Sequence, residues 1–221
     1  MNTSLSTAAI ILAAGSSSRM GGGHHKLLLP LDDRPVIAHV IDASLASQAH
    51  PIIVVLGYQS DEVRSKIKDY TNQNHITLVE NAQYQQGMSS SLRIGIRTLL
   101  TNDYKNELVS SKADSALIVL GDQPLITPQI IDTLISAYRT TGMPIVAPLY
   151  KGKRGSPVLF DKSLFSELTE VTGDEGGRTV LERHRHGVEL IEIGDALANY
   201  DVDTWEAYEH VVEVWKDKAK E

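Results

Sequence analysis

The residues able to do chemistry gather first in Leu12-Ala13-Ala14-Gly15-Ser16-Ser17-Ser18-Arg19-Met20-Gly21, followed by Lys26. An apolar run from Ala8 to Ala13 breaks into glycine, three serines and then cations. A buried strand reads this way when it empties into a loop of small side chains. Such a loop lets backbone N–H groups close on an anion, and Arg19 and Lys26 add fixed positive charge, which is the make-up of a polyphosphate cradle. A strand followed by a plain flexible loop would explain the glycines but not both cations. A second group is Asp122 in Gly121-Asp122-Gln123-Pro124, directly after the apolar run Ala116–Leu120. Its carboxylate is a hard oxygen donor of the kind Mg²⁺ uses when phosphate and water complete its shell; an aspartate filling a turn before proline reads the same way. Asp201 and Asp203 form a D-x-D pair whose side chains share one face if the segment is extended, so they offer a further metal contact or a solvated acidic stretch ahead of a helix. Gly155-Ser156-Pro157 and Gly173 to Arg178 are glycine-rich turns carrying Arg154 and Arg178, suited to a second anionic substrate or to turns alone.

Several chemistries are disfavoured. The opening loop matches neither G-x-x-x-x-G-K-[ST] nor G-x-G-x-x-G, the templates of phosphate-binding ATPases and of dinucleotide oxidoreductases. His24 and His25 are adjacent and diverge on most backbones, and His184 and His186 lie among arginines at a helix end, so a zinc site is not indicated. The chain has no cysteine, which removes disulfides, thiolate metal sites and a cysteine nucleophile, and fits a reducing cytoplasm. A net charge of −7 argues against a broad nucleic-acid or acidic-membrane surface. The polar start, Met1 to Thr7, is unlike a secretion signal, and no apolar run approaches the roughly 20 residues needed to span a bilayer.

The elements that must position these groups alternate. Apolar runs at Ala8–Ala13, Pro51–Leu56, Ile76–Val79, Ala116–Leu120, Pro144–Leu149 and Val188–Ile193 read as strands, with Ser156–Phe160 as a further strand or hairpin arm. Helical patterns lie between them: one opened by Pro35 with a single apolar face, one capped by Ser60, one from Met88 to about Leu100, and one started by Thr127-Pro128. Shorter ones follow at Ser163–Leu168 and Thr179–His184, and an amphipathic helix closes the chain from Thr204 to Lys218. Thr101 to Ala113 reads as a loose surface connection. Solid apolar strands alternating with helices call for an α/β, three-layer architecture: a mainly parallel twisted sheet with helices on both faces. At 221 residues, with 42% hydrophobic and 22% charged side chains, a single domain spanning residues 1–221 is expected. In such a sheet ligands bind beyond the carboxyl ends of the strands where strand order reverses, so the strand before the first loop and the strand before Asp122 are expected to be neighbours.

Taken in order, the motifs resemble the MobA-like nucleotidyltransferases, and within them the molybdenum cofactor cytidylyltransferase branch. The resemblance rests on Leu12-Ala13-Ala14-Gly15-x-Ser17-Ser18-Arg19-Met20-Gly21 with Lys26-Leu27-Leu28-Leu29-Pro30, then Gly57-Tyr58, Asn81, Gly87-Met88-Ser89-Ser90-Ser91-Leu92 and Gly121-Asp122-Gln123-Pro124. It continues in Arg154-Gly155-Ser156-Pro157, Gly173-Asp174-x-Gly176-x-Arg178 and Asp201-Val202-Asp203-Thr204. It implies a Rossmann-like nucleotidyltransferase fold, a first loop that holds a nucleoside triphosphate, Mg²⁺ on Asp122, and Asp201 and Asp203 close to the metal or the acceptor. Guanylyl-type members usually carry Ala-Gly-Gly where this chain has Ala13-Ala14-Gly15, so Ala14 points to CTP rather than GTP. The reaction implied is transfer of CMP from CTP to the molybdopterin cofactor, with Arg19 and Lys26 on the leaving phosphates and Asn81, Ser89, Ser90 and Ser91 contacting base and ribose. A molybdenum dehydrogenase would be a transient partner. A phosphorylated sugar or alcohol acceptor, and a non-enzymatic carrier of the finished cofactor, are the competing readings. The chain departs from the pattern where Gly22, Gly23, His24 and His25 lengthen the gap before Lys26, and where Trp205 and Ala207 stand in place of Pro and Asp.

Overall fold

The structure, a computed structural model, describes residues 5–21, 23–72, 76–101 and 113–218. Gly22, the first four residues and most of the expected loose connection at 101–113 lie outside the described residues. In chain order, β1 (Thr7–Ala13) leads to a small antiparallel hairpin, β2 (Pro30–Leu31) and β3 (Arg34–Pro35). Then come α1 (Val36–Leu45), β4 (Ile52–Leu56), α2 (Ser60–Lys66), α3 (Lys68–Asn72) and β5 (Thr77–Glu80). The second half runs α4 (Met88–Thr101), β6 (Ser115–Leu120), α5 (Pro128–Thr141), β7 (Ile145–Tyr150), β8 (Lys153–Arg154) and β9 (Val158–Asp161). It ends with α6 (Phe165–Leu168), α7 (Arg178–Arg183), β10 (Val188–Glu192) and α8 (Trp205–Lys218).

Among the described residues the strands build an eight-stranded sheet of order β10-β7-β9-β6-β1-β4-β5, with β8 hydrogen-bonded to β7. Pairs β1–β4, β1–β6, β4–β5 and β7–β10 are parallel. β9 runs antiparallel between β6 and β7. The reason is length: parallel pairing needs a crossover of about a dozen residues or more. Only the short turn of 151–157, which includes β8, separates β7 from β9. The sheet is therefore mixed but mainly parallel, with helices on both faces.

Alternation along each strand divides the core. Ala9, Ile11 and Ala13 face α1 and α5, together with Val54, Leu56, Leu117 and Val119. Ala8, Ile10 and Leu12 face α4 and α6, with Ile53, Val55, Ala116 and Ile118. Helix α1 is not the one-faced helix that its pattern suggests. Val36 to Ile41 are all buried, because Trp215 of α8 packs its ring 4.3 Å from that of His39 and His39 Nε2 lies 2.8 Å from the Leu31 carbonyl. Ser60 does not cap α2 either. Gln59 holds the N-cap position in a left-handed conformation (φ 49°) without a side-chain bond, and the Ser60 hydroxyl donates to Glu80 of β5 at 3.1 Å. Thr127 does cap α5, accepting from the Ile130 N–H. No helix among the described residues is long and apolar enough to cross a membrane.

Gly95 fixes how closely α4 lies on the sheet: a Cβ added there would sit 2.5 Å from Ile10 Cγ2. Glycine to alanine inside a helix ordinarily stabilises by about 1 kcal/mol. Here the opposing methyl belongs to a fully buried, β-branched residue that cannot swing away. Gly95→Ala is expected to destabilise by about 1–3 kcal/mol in urea unfolding; a stabilised variant would mean that α4 can lift off β1.

Candidate active site

The parallel register between β1 and β6 sets Leu12 opposite Leu120, and the Gly121 N–H donates to the Leu12 carbonyl at 3.0 Å. The first loop and Asp122 therefore leave the sheet side by side where strand order reverses, the place an open sheet offers a ligand. A third segment joins them because the Val202 N–H donates to the Asp122 carbonyl at 2.9 Å, which carries Asp201 and Asp203 to the same end. The result is a cavity of about 800 Å³. Leu12, Ala13, Ala14, Gly15, Ser17, Ser18, Arg19, Lys26, Ser91, Asp122, Asp201 and Asp203 all line it.

The long gap before Lys26 does not move that residue out of the cavity. Ser17 adopts a left-handed conformation (φ 54°), which turns its hydroxyl to accept from the Lys26 N–H at 3.0 Å. His25 is buried, with Nε2 3.0 Å from the Tyr58 carbonyl and Nδ1 accepting from the Leu27 N–H at 3.3 Å. Those partners define a neutral ring with its proton on Nε2. The two departures from the family pattern also meet: the Trp205 ring takes an edge contact with His24 at 5.0 Å, and Trp205 Nε1 donates to the Met20 carbonyl at 3.0 Å.

Charge organises the floor. The Lys26 ammonium bonds Asp122 and also Asp203 Oδ1, the latter at 2.5 Å. Arg19, largely exposed, pairs with Asp203 Oδ2 at 2.8 Å. Burial opposes the ammonium charge, yet the Asp122 and Asp203 carboxylates more than offset it and hold Lys26 above its ordinary value. Asp201 accepts from Gln123 Nε2 at 2.6 Å. Burial first, and then the neighbouring Asp122 and Asp203 charges, push Asp201 up to about 6. Asp174 also reaches the lining, so four carboxylates face two cations there.

Asn81, Ser89 and Ser90 do not line the cavity. All three are buried and their polar atoms are used within the fold. Asn81 donates to the Ser90 and Ser91 hydroxyls at 2.8 and 2.9 Å and accepts from the Gln83 N–H. The Ser89 hydroxyl donates to the Thr172 carbonyl and accepts from the Gly176 N–H, tying α4 to the 173–177 turn. Arg154 is engaged by Glu182 and is not part of the lining. Conversely, Tyr58, Tyr84, Gln85, Met88 and Asp174 line the cavity without having been assigned roles from sequence. Tyr58 and Asp174 sit in motifs already noted; Tyr84 and Gln85 lie in a polar loop with no pattern to single them out.

Among the described residues no three carboxylate or imidazole groups converge on one point that would hold a metal by themselves. Asp201 spends one oxygen on Gln123, so Asp122, Asp201 and Asp203 do not act as one closed set. Two carboxylates bridged by a cationic nitrogen are nonetheless a suitable donor pair for a hard divalent ion that takes its remaining ligands from phosphate and water. The surplus of carboxylates gives such an ion a reason to bind.

Comparison with known proteins agrees with the geometry. A family model described as the MobA-like NTP transferase domain matches residues 9–188. The chain is 29% identical to the molybdenum cofactor cytidylyltransferase of Escherichia coli over 81% of this chain and 82% of that one. It is 28% identical to the nicotine blue oxidoreductase of Paenarthrobacter nicotinovorans over 82% and 84%. The crystal structure of Rv0371c from Mycobacterium tuberculosis superposes with a TM-score of 0.77 at 27% identity, covering 96% of this chain and 99% of that one. A structure of that protein in complex with manganese gives a TM-score of 0.73 at 26% identity, covering 94% and 98%.

His25 allows a test of how the Lys26 loop is anchored. Burial lowers its pKa from 6.5; the Tyr58 carbonyl and Glu62 act upward and Lys26 downward. The folded state thus prefers the neutral ring, so the contribution of His25 to stability is full above about pH 6.5 and is lost as pH falls through its lower folded value. His39, also buried, has the same sign. Asp201, raised to about 6, acts with the opposite sign over the same range, so the test is the difference between proteins: from pH 7 to 5 the denaturation midpoint of His25→Gln should fall less, or rise more, than that of wild type. Equal shifts in the two proteins would show that His25 is not held neutral.

Proposed function

The chain belongs to the MobA-like NTP transferase family, and on that premise we propose that it transfers CMP from CTP to the terminal phosphate of the molybdopterin cofactor, releasing pyrophosphate. The observation that carries this reading is the convergence of Lys26, Arg19, Asp122 and Asp203 at one end of the 14–19 loop. Fixed cations beside a small-residue loop, with paired hard carboxylates able to take a divalent ion, suit a triphosphate that arrives with its cation. The choice of CTP is supported by Ala14. Ala14 stands where guanylyl-type members usually carry glycine, and it packs against Gly57, where an added Cβ would lie 2.7 Å from the Ala14 methyl. The choice of acceptor is supported by the E. coli relative.

In this mechanism an oxygen of the acceptor phosphate attacks the α-phosphorus of CTP. A P–O–P bond forms, the α–β P–O bond breaks, and its electron pair leaves with pyrophosphate. A phosphate monoester has its second pKa near 6 and is largely ionised at neutral pH, so no general base is required. Catalysis is alignment plus charge neutralisation. The 14–19 loop and Ser17 orient the phosphates, and Lys26 and Arg19 neutralise the leaving group. A divalent cation held by Asp122 and Asp203 would neutralise the reacting phosphates. Gln123 holds Asp201 in the cavity wall, where it could face the acceptor.

Pyrophosphate release with a panel of nucleotides and acceptors tests the proposal. CTP with molybdopterin cofactor should be preferred over GTP, ATP or UTP and over phosphorylated sugars or alcohols. A clear preference for GTP would remove the Ala14 argument, and cofactor binding with no pyrophosphate would favour the carrier reading. Asp122→Asn should fold normally yet lose about 100-fold or more in kcat/KM, the several kcal/mol that a Lewis-acid ion supplies. Near-wild-type turnover would remove Asp122 from the metal role.

A further inference from the structure

The two hard donors at the centre of the site share a single ammonium. Lys26 Nζ bonds Asp122 and Asp203, and the side chains of Lys26, Asp122 and Asp203 are only 13%, 16% and 21% exposed. Arg19 takes the second oxygen of Asp203 at 2.8 Å. A divalent ion approaching the free protein therefore meets a positive charge already within bonding distance of both its ligands. Removing that charge with nothing in exchange would leave an uncompensated, mostly buried ammonium, which is costly. A triphosphate changes the exchange, because its oxygens offer Lys26 and Arg19 equally charged partners.

We propose that Lys26 gates the cation site: it occupies the space between Asp122 and Asp203 until a nucleoside triphosphate draws it away, so that nucleotide and divalent ion bind as a coupled pair. The movement needed is small. The Lys26 backbone is tied by Ser17 and its neighbour His25 by Tyr58, so the gate is a side-chain rotation and not a loop motion. By linkage, whatever factor the nucleotide adds to ion affinity the ion adds to nucleotide affinity. The gate rests on the reading above only in taking Asp122 and Asp203 as ion ligands; it does not depend on which base or acceptor is used.

The test is a Mn²⁺ titration of the full chain followed by the electron paramagnetic resonance signal of free Mn²⁺, with no nucleotide present. Wild type should bind weakly. Lys26→Met and Lys26→Gln, which remove the ammonium but keep the side chain's bulk, should bind Mn²⁺ about ten-fold more tightly or better, the range of ordinary site coupling. Lys26→Arg should stay weak, and adding Asp122→Asn to Lys26→Met should abolish the gain, placing it at this pair. Lys151→Gln, on an exposed turn, controls for the general loss of a positive charge. Near-ultraviolet circular dichroism establishes which variants are folded. If folded Lys26→Met and Lys26→Gln bind Mn²⁺ no more tightly than Lys151→Gln, the gate is wrong. Because no nucleotide is involved, that failure is separable from a failure of CTP turnover.

Discussion

The structure of this site depends on one ammonium shared by two carboxylates. Lys26, Asp122 and Asp203 come from segments separated by 96 and 177 residues from Lys26, and no local interaction could bring them together. The sheet does so: the β1–β6 register fixes the first loop against Asp122, and one backbone bond from Val202 to Asp122 brings in Asp203. Once assembled, the triplet has a net negative charge in a partly buried place. That is tolerable because each ion keeps hydrogen bonds and some water. Burial alone would push the lysine toward its neutral form, and the two carboxylates prevent it.

What keeps the triplet in register is a small apolar cluster apart from the two main cores. Met20, Leu29, Leu31, Val36, Leu125, Val202 and Val211 pack together beneath the first loop. They join that loop to α1, to the turn after Asp122 and to α8. Around this cluster Trp205 bonds the Met20 carbonyl and Tyr208 donates its hydroxyl to the Pro30 carbonyl. Helix α8 thus serves as a buttress. The longer gap before Lys26 and Trp205 act as one feature, since His24 of that gap rests on the ring that stands in place of Pro.

Much of this architecture was legible in the residues. Strands β1, β4 and β6 are solid apolar runs that only a covered, mainly parallel sheet can accept, and the placement of Asp122 beside the first loop followed from strand order alone. The antiparallel β9 was visible only as a return arm, because deciding its pairing needs the whole sheet. The serines after Gly87 divide: Ser91 lines the cavity, while Ser89 and Ser90 do not. Ser and Asn around a helix start look like ligand groups, but Asn81 and, in the first turn of α4, Ser89 and Ser90 satisfy buried backbone and each other, a demand that buried polar groups beneath a cavity must meet. Tyr84 and Gln85 line the site for a reason with no sequence signature, namely that the turn after β5 folds over the end of β4.

The sign of the cavity is the remaining puzzle, since an acidic protein presents an acidic pocket to substrates that are themselves anions. Four carboxylates against two cations should repel a triphosphate, and the shift of Asp201 to about 6 reflects burial first and then that crowding. The arrangement makes sense if positive charge is delivered with the substrate and not stored in the protein. A pocket already neutralised by extra lysines would hold pyrophosphate as firmly as it holds the triphosphate, and product would leave slowly. A pocket short of positive charge binds an anion well only while a divalent ion accompanies it. Under the proposed reaction, loss of the ion with the leaving phosphates would leave Asp122 and Asp203 open to Lys26, which already lies within bonding distance of both. One ammonium would then serve both the leaving phosphates and the empty carboxylate pair, a double use that its partly buried position between two acids suits.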